Sequence, residues 1–349
     1  MTAETTDRID VEAIDPRDTA AFDEWFAVWN AIDEERWPGE PGWQYEELHA
    51  MALDRGGSYE RRPLVARHGG IAAGVIGLEM TRHENFHLAR IDLRVLPEHR
   101  RLGVGTALVE AAERIAAAAG RTEMAVEDEI PVRPDYVNRA EPFARHLGFK
   151  PVQRSVRRNI NVPLDAAHAE ALRNDPRANP AGYTLLSFGN HWPDEYLDDR
   201  CEFGRRMSTD MPMGEQQLDE EVWDAARVRA LEASLVAQNR SKTTTVARHD
   251  ASGRLVGFTE VAIPLGAPES SWQHDTLVLR EHRGNGLGFA MKLANLFAVH
   301  DQHAAVRRIN TWNAEDNGPM IAVNEDLGFW VAARSTDWHR TISASPSSA

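Results

Sequence analysis

The stretch Asp92-Leu-Arg-Val-Leu-Pro-Glu-His-Arg-Arg-Leu-Gly-Val-Gly105 recurs as Asp275-Thr-Leu-Val-Leu-Arg-Glu-His-Arg-Gly-Asn-Gly-Leu-Gly288. Residue 92 corresponds to 275 and residue 105 to 288, so both ends of the repeat keep one offset of 183 residues. In each copy an apolar, strand-like run leads into an Arg-x-x-Gly-x-Gly turn that opens a helix. Such a turn directs several backbone N–H groups and the positive end of the helix towards one point. The sequence therefore predicts an anion-binding turn in each half of the chain.

Length and composition agree with two soluble domains. The 349 residues suit two domains of ordinary size. No apolar run approaches the roughly 18 residues that cross a bilayer, and residues 1–8 lack a signal-peptide pattern. We therefore expect a cytoplasmic protein without a membrane partner. The single cysteine, Cys201, excludes an intrachain disulfide and a cysteine-based metal site, and we expect no metal. The formal net charge of −15 disfavours nucleic acid as a partner.

Matching elements surround the two turns. Helical or strand-like patterns cover 20–33, 63–67, 71–80 and 106–119 in the first half, and 243–248, 255–263 and 289–300 in the second. Leu-Gly-Phe closes each copy, at 147–149 and 327–329. The order predicts an α/β fold of two similar units, each with a mixed, mostly antiparallel sheet. We expect the units to span 1–174 and 175–349, with a charged loop at 127–134 and a disordered tail from about 343.

Two common nucleotide-binding turns are disfavoured. Neither copy supplies the third glycine of Gly-x-Gly-x-x-Gly, which a dinucleotide-binding fold uses. No Gly-Lys-Ser/Thr follows either turn, as a P-loop requires.

The order of elements resembles the GNAT superfamily of acyl-CoA N-acyltransferases. The pair of units is similar to the tandem arrangement of mycothiol synthase and related actinobacterial proteins. This resemblance implies acetyl-CoA as co-substrate, with its pyrophosphate on the turn of the second copy and, by the same motif, on that of the first. The residues concerned are Arg283, Gly284, Asn285, Gly286 and Gly288, and Arg100, Arg101, Gly103 and Gly105. It also implies that the backbone N–H of Val278, or of Val95 in copy one, points at the thioester carbonyl and stabilises the oxyanion.

An N-acetyltransferase needs a base, and its leaving thiolate needs a proton. Glu260, His274 and Asp275 are candidate bases because they lie on the strand before the turn or on the strand preceding it. In many family members the acid is a tyrosine five residues before the final Phe, but Ala144 and Asn324 occupy that position here. Unassisted departure of the thiolate and a water positioned by Asn324 both stay open.

The two copies differ downstream of the turn. Copy two has Asn313 and Asn317, whose amides could pair with the pantetheine arm, whereas copy one has the acidic run 127–129 and replaces Gly284 by Arg101. We expect an active C-terminal unit that acetylates a primary amine of a small molecule by direct attack. The N-terminal unit is expected to be degenerate or regulatory. A non-catalytic acyl-CoA sensor and an N-acetyltransferase of peptides or proteins are the alternatives. The acceptor and the oligomeric state are not set by the sequence.

Overall fold

The computed structural model describes residues 8–54, 56–210, 214–216 and 218–342. The chain forms two compact units, Met1–Gln153 with Ser335–Ala349, and Arg154–Arg334. Each unit contains a mixed sheet with helices packed on it, so the expected α/β fold with two similar units is confirmed. The expected disordered tail from about residue 343 lies outside the described residues. No helix in the described part of the chain is long and apolar enough to cross a bilayer.

Unit 1 contains a sheet in the order β1-β2-β3-β4-β5-β12, in which β4 and β5 run parallel. Its strands are β1 (Ile9–Ala13), β2 (Tyr59–His68), β3 (Ile71–Thr81), β4 (Leu88–Val95), β5 (Glu123–Pro131) and β12 (Trp330–Thr341). Its helices are α1 (Thr19–Arg36), α2 (Tyr45–Leu53), α3 (Val104–Ala118) and α4 (Ala140–His146). The aromatic residues of α1 pack on the sheet, where Trp25 and Trp29 are buried.

Unit 2 contains a sheet in the order β6-β11-β10-β9-β8-β7, in which β10 and β11 run parallel. Its strands are β6 (Lys150–Asn161), β7 (Tyr183–Phe188), β8 (Arg240–His249), β9 (Leu255–Pro264), β10 (Ser270–Val278) and β11 (Arg308–Ala314). Its helices are α5 (Ala166–Arg173), α6 (Leu197–Asp210), α7 (Ala225–Ala237), α8 (Leu287–Gln302) and α9 (Gly318–Leu327). A short 3-10 turn, Pro176–Ala178, packs on α8.

The strands that follow the two Leu-Gly-Phe sequences are exchanged between the units. β6 follows copy one in sequence, yet from Ser155 to Asn161 it pairs antiparallel with β11 of unit 2. β12 follows copy two, yet its Trp338 is buried in the core of unit 1. The folded units therefore divide the chain after Gln153 and again after Arg334. The boundary near residue 175 was expected from the repeat in the sequence, and it stays a prediction.

The segment 127–131, expected in a loop, belongs to β5 instead. The buried Asp128 carboxylate accepts hydrogen bonds from the Thr336 backbone N–H at 2.9 Å and from the Trp338 indole at 3.1 Å. These bonds hold the segment against β12, and the strand ends at Pro131. The loop prediction from charge and proline failed because the neighbouring strand is more than 200 residues away in sequence.

Candidate active site

A cleft opens where β10 leaves β11. The parallel ladder between these strands covers only Ser270 to Trp272, although β10 continues to Val278. Unit 1 repeats the arrangement, since the β4–β5 ladder ends at Ile91 while β4 continues to Val95. Each unit therefore exposes the edge of its turn-forming strand inside a wedge between two diverging strands.

A β-bulge distinguishes the cleft of unit 2. Gln273 lies opposite Val261 and Thr276 opposite Thr259, so β10 carries one extra residue at this point. His274 and Asp275 lie in the bulge, and both side chains are exposed instead of alternating between the faces of the sheet. Bulges re-aim side chains in this way. The matching β3–β4 ladder of unit 1 runs from Ala89 to Val95 without a register shift.

The last strand residue before each turn directs its N–H into the cleft. Leu279 donates to Val256 of β9 at 2.9 Å, so the preceding pair, Val278 and Gly257, is a non-hydrogen-bonded pair of the antiparallel ladder. The Val278 N–H consequently points away from β9 and towards the space that β11 has vacated. Val95 has the same geometry in unit 1, opposite Gly74. Both valines expected from the sequence thus present a donor to their cleft.

The glycine turns open the helices as expected. Gly286 and Gly103 are the N-cap residues of α8 and α3 and have φ values of +74° and +89°. Gly284 has φ +83°, and Arg101 keeps the same left-handed conformation with φ +64° although it carries a side chain. The turn therefore has one backbone form in both units, and the first N–H groups of each helix are available to an anion.

Side chains crowd the later glycines. A Cβ built at Gly286 would lie 3.4 Å from the side chain of Arg177, which belongs to the 3-10 turn. A Cβ at Gly105 would lie 3.1 Å from the Phe143 ring, and one at Gly288 would meet only a residue of α9 at 3.9 Å. The backbone is thus open to close approach at Gly284 in the turn and at Gly288 at the start of α8.

The arginines of the two turns have structural partners. Arg283 Nε donates to the Val278 carbonyl at 3.0 Å, and its guanidinium lies 2.8 Å from the carboxylate of Asp210 on α6. Arg100 makes the matching bond to its own strand and a two-pronged ion pair with Glu35 on α1. Both guanidinium groups hold the turn to the strand and to a neighbouring helix, and the backbone N–H groups are the donors that remain for a phosphate.

The four asparagines of copy two also have internal contacts. Asn317 is the N-cap residue of α9. The Asn285 side-chain amide donates to the backbone carbonyl of His282, just before the turn, at 3.0 Å. Asn324 Nδ2 donates to Asn313 Oδ1 and joins α9 to β11. Asn324 Oδ1 is buried, with no hydrogen-bond partner in the described part of the chain. An acceptor is therefore left open at the position where many proteins of the resembled family have a tyrosine.

Asp275 has the properties of a base at neutral pH. Its side chain is solvent-accessible but protein surrounds it on the walls of the cleft. Desolvation in this setting, followed by the charge of Glu260, raises the pKa of Asp275 to about 6, against the opposing effects of Arg200 and Lys242. A carboxyl with this pKa is ionised at pH 7 and is more basic than an ordinary aspartate.

Glu260 is a buried, paired carboxylate. Burial favours its neutral form, but Lys242, whose Nζ lies 2.9 Å away, and Arg200 outweigh that effect and hold the pKa at about 2. The Trp192 indole and the Thr244 hydroxyl each donate to it at 3.2 Å. A group with this pKa and these partners is a weak base, although its charge acts on Asp275.

His274 is uncharged at neutral pH. Desolvation by the surrounding protein, followed by the charge of Arg240, lowers its pKa to about 4, and the negative Glu260 opposes this only in part. Of the three candidates, Asp275 therefore combines access to the cleft with a pKa close to neutrality.

In unit 1 the aspartate that corresponds to Asp275 is held in an ion pair. Asp92 pairs at 2.8 Å with Arg94, a buried residue that also pairs with Asp33 at 3.0 Å and lies 4.2 Å from the ring centre of Trp29. Leu277 occupies the position of Arg94 in unit 2 and leaves Asp275 without such a partner. The two clefts therefore share a donor and a turn but differ in their carboxylate.

The sequence did not reveal three features of unit 2. The bulge leaves no mark in the residue pattern, because the 183-residue offset is kept across it. Lys242 was missed because its partner Glu260 lies on the neighbouring strand. Lys292 of α8 is buried among apolar residues, and comparison with Val109 at the same offset could have drawn attention to it. In the described residues no group of three or more His, Cys, Asp or Glu is placed to hold a metal ion.

Comparison with known proteins supports this geometry. The sequence model of the acetyltransferase (GNAT) family matches residues 22–149 and again residues 189–329. A tandem GNAT protein from the clavulanic acid biosynthesis pathway is 28% identical, with a TM-score of 0.79 over 97% of this chain and 100% of that one. A GCN5-related N-acetyltransferase from Sphaerobacter thermophilus is 19% identical, with a TM-score of 0.65 over 96% of both chains.

A more distant fold likeness is to Saccharomyces cerevisiae N-myristoyltransferase with bound myristoyl-CoA. It is 12% identical, with a TM-score of 0.59 over 99% of this chain and 82% of that one. No curated protein sequence matches significantly. Two family matches cover both repeats, and both contain the diverging strands and the glycine turn. The chain belongs to the GNAT family of acetyltransferases and carries its domain twice.

Proposed function

We propose that unit 2 transfers the acetyl group of acetyl-CoA to a primary amine of a small molecule, and that unit 1 binds acyl-CoA without catalysing transfer. The observation that carries the proposal is the bulge at His274 and Asp275. It exposes a carboxylate of raised pKa three residues before Val278, and the matching ladder of unit 1 has no such bulge.

The residues of unit 2 divide the reaction into simple tasks. The turn from Gly284 to Gly288 holds the pyrophosphate of acetyl-CoA on backbone N–H groups. Asp275 takes a proton from the ammonium group of the acceptor, and the free amine attacks the thioester carbonyl carbon. The Val278 N–H donates to the developing oxyanion, a contribution of about 3 kcal/mol in comparable sites. The attacking nitrogen then loses its second proton to solvent, and the C–S bond breaks with its electron pair on sulfur. The CoA thiolate leaves and takes up one proton from solvent.

A small acceptor in the cytoplasm fits the remaining observations. The net charge of −15 attracts cationic molecules such as amines and repels nucleic acids. The protein of the clavulanic acid pathway, which is 28% identical, belongs to the biosynthesis of a small molecule. No membrane partner and no metal are part of the proposal.

The test is thiol release by the full-length protein from acetyl-CoA with a panel of small amines. We expect Asp275→Asn to lower kcat/KM at pH 7 by about a hundredfold or more and to abolish the fall in rate below about pH 6. The matched control is Asp92→Asn in unit 1, which should keep most of the activity.

Three other results would contradict the proposal. Binding of acetyl-CoA without thiol release for any amine would identify a sensor. Thiol release with peptide or protein amines but with no small amine would identify a different class of acceptor. Loss of activity in Asp92→Asn but not in Asp275→Asn would assign the reaction to unit 1.

A further inference from the structure

Arg200 of α6 is a buried arginine, only 6% exposed, to which no described group is hydrogen-bonded or ion-paired. Its guanidinium carbon lies 5.6 Å from the ring centre of Trp192, 4.5 Å from that of Trp223 and 5.4 Å from that of Phe258. The ring faces attract the cation but are not full acceptors for its five N–H donors. A buried cation with open donors is costly, so its presence calls for an explanation.

Arg200 lies over the face of the sheet that carries the bulge. Phe258 of β9 packs under α6, and Glu260, two residues further along the strand, faces the same side. The Trp192 ring beside Arg200 donates its indole N–H to Glu260 at 3.2 Å. Asp275 lies in the bulge opposite Glu260, and the charge of Arg200 opposes the rise that desolvation causes in its pKa. The guanidinium and the proposed base therefore line the same side of the cleft.

Two charged groups on this face have no ion-pair partner among the described residues. Lys242 is paired with Glu260 at 2.9 Å, and the Thr244 hydroxyl donates to the same carboxylate oxygen. Arg200 and Asp275 have no such partner in the part of the chain that the structure describes. An amino acid carries the complementary charges, an ammonium group for Asp275 and a carboxylate for Arg200. The planar guanidinium can donate two parallel N–H bonds to a carboxylate.

Unit 1 places a tryptophan where unit 2 has this arginine. Glu35 of α1 and Asp210 of α6 both pair with the arginine of their own turn, which relates the two helices by an offset of 175 residues. At this offset Trp25, which is buried, corresponds to Arg200. The fold therefore does not need a charge at this position, and the guanidinium belongs to the unit that carries the bulge.

The sheet beneath differs in the same way. Gly77 of β3 corresponds to Glu260 at the 183-residue offset, and a Cβ at Gly77 would lie 3.4 Å from Trp29 and 3.9 Å from Trp25. The two tryptophans are stacked with their ring centres 4.7 Å apart. Unit 1 thus fills with apolar rings the space in which unit 2 keeps a guanidinium and a carboxylate.

We propose that the acceptor of unit 2 is an amino acid, whose carboxylate binds to Arg200 while its amine is presented to Asp275. The inference rests on the proposed acetyl transfer in unit 2 and names its substrate class. The bonds that form and break are those of that transfer, and the carboxylate of the acceptor is unchanged in the N-acetyl amino acid. Binding at both ends fixes the amine relative to the thioester. A phosphate would bring a second negative charge beside Asp275 and fits this face less well than a carboxylate.

The first experiment compares kcat/KM for amino acids and for the amines that lack their carboxylate, with the full-length protein and saturating acetyl-CoA. The pairs are glycine with methylamine, β-alanine with ethylamine, 4-aminobutyrate with propylamine, and lysine with 1,5-diaminopentane. We expect the best amino acid to exceed its paired amine by about a hundredfold, because the amine leaves a buried donor without an acceptor. A best preference of about tenfold or less, or a higher rate with the matching aminophosphonate, overturns the proposal.

Variants of Arg200 assign the preference to this side chain. Arg200→Gln should raise KM for the preferred amino acid by about a hundredfold and change KM for the paired amine by less than about threefold. Arg200→Lys keeps the charge without the planar fork and should retain part of the preference. Arg205→Gln is the control, because Arg205 lies on the same helix, is partly exposed and pairs with Glu202. It should keep the parent preference.

The outcomes separate this proposal from the acetyl transfer. An equal loss of rate for the amino acid and its paired amine in Arg200→Gln indicates a structural role and overturns the assignment. The comparison of substrates with the parent protein decides if neither variant folds. Thiol release without a preference for amino acids overturns the acceptor class alone. Absence of thiol release with every amine and amino acid overturns the acetyl transfer and the acceptor class together.

Discussion

Replacing Gly286 by glutamate tests where the phosphates of CoA bind. The residue is the N-cap of α8 with φ +74°, and its backbone lies where the helix N–H groups converge. We take about 6 Å as the separation between the new carboxylate and the diphosphate. At an effective dielectric constant near 20, two unit charges at that distance repel by about 3 kcal/mol. This corresponds to a more than hundredfold loss of affinity.

Two controls separate repulsion from distortion. Gly286→Ala places a Cβ 3.4 Å from Arg177 and adds the strain of a left-handed residue, about 1–3 kcal/mol of folding stability, without adding charge. Its affinity for CoA should stay within about tenfold of the parent value. Gly103→Glu makes the charged change in unit 1, where a Cβ would meet only Ile9, at 3.4 Å. Circular dichroism should confirm that all three variants are folded.

Calorimetry and thiol release give the decisive comparison. Gly286→Glu should abolish the binding event linked to turnover and reduce thiol release by at least a hundredfold. Gly103→Glu should remove any CoA bound to unit 1 and leave most of the turnover. An unchanged Kd for Gly286→Glu would refute the assignment of the phosphate site. Equal loss of turnover in both variants would mean that the two units act together.

Two further predictions concern stability. Arg101→Gly should relieve the left-handed strain at φ +64° and raise the Tm of unit 1 by about 2 °C, measured by calorimetric scanning; a lower Tm would show that the arginine side chain makes a stronger contribution. Desolvation by the surrounding protein, followed by the charge of Asp337, raises the pKa of Glu127 to about 7, above its value in the unfolded chain. Its stabilising effect is therefore complete below about pH 4.5 and is lost as pH rises through 7. Glu127→Gln should therefore reduce the fall in Tm between pH 5 and 8. An unchanged dependence of Tm on pH would contradict the raised pKa of Glu127.

The repeat predicted the parts of the site that depend on local sequence. Gly103 and Gly286 could be recognised because a left-handed N-cap next to an apolar strand leaves few alternatives to glycine. The direction of the Val278 N–H was implied by family resemblance, and the ladder with β9 now gives a physical reason for it. The bulge was not predictable, because a single extra residue in β10 changes the pairing with β9 but not the spacing within the repeat.

Contacts between residues that lie far apart in the sequence explain the other features that were not predicted. Arg94, read as part of an apolar strand, turned out to neutralise Asp92 with the help of Asp33 on α1. The pKa of Asp275 depends on Glu260 and on Lys242, which three-dimensional pairing brings beside it. The exchange of β6 and β12 could not be predicted either, because the strands after the two Leu-Gly-Phe sequences have similar lengths and neither sequence specifies a partner.

The position of β12 sets the order in which the protein can mature on the ribosome. The N-terminal core includes Trp338, so it stays incomplete while residues 154–334 are being translated. At ordinary elongation rates of about 5–20 residues per second this interval lasts roughly 10–40 s. During that time the edge of β5, with the buried carboxylate of Asp128, has no strand beside it. The C-terminal core also needs the chain up to Arg334, so the order is not domain by domain: nascent chains should become resistant to proteolysis in both cores together, at the end of synthesis.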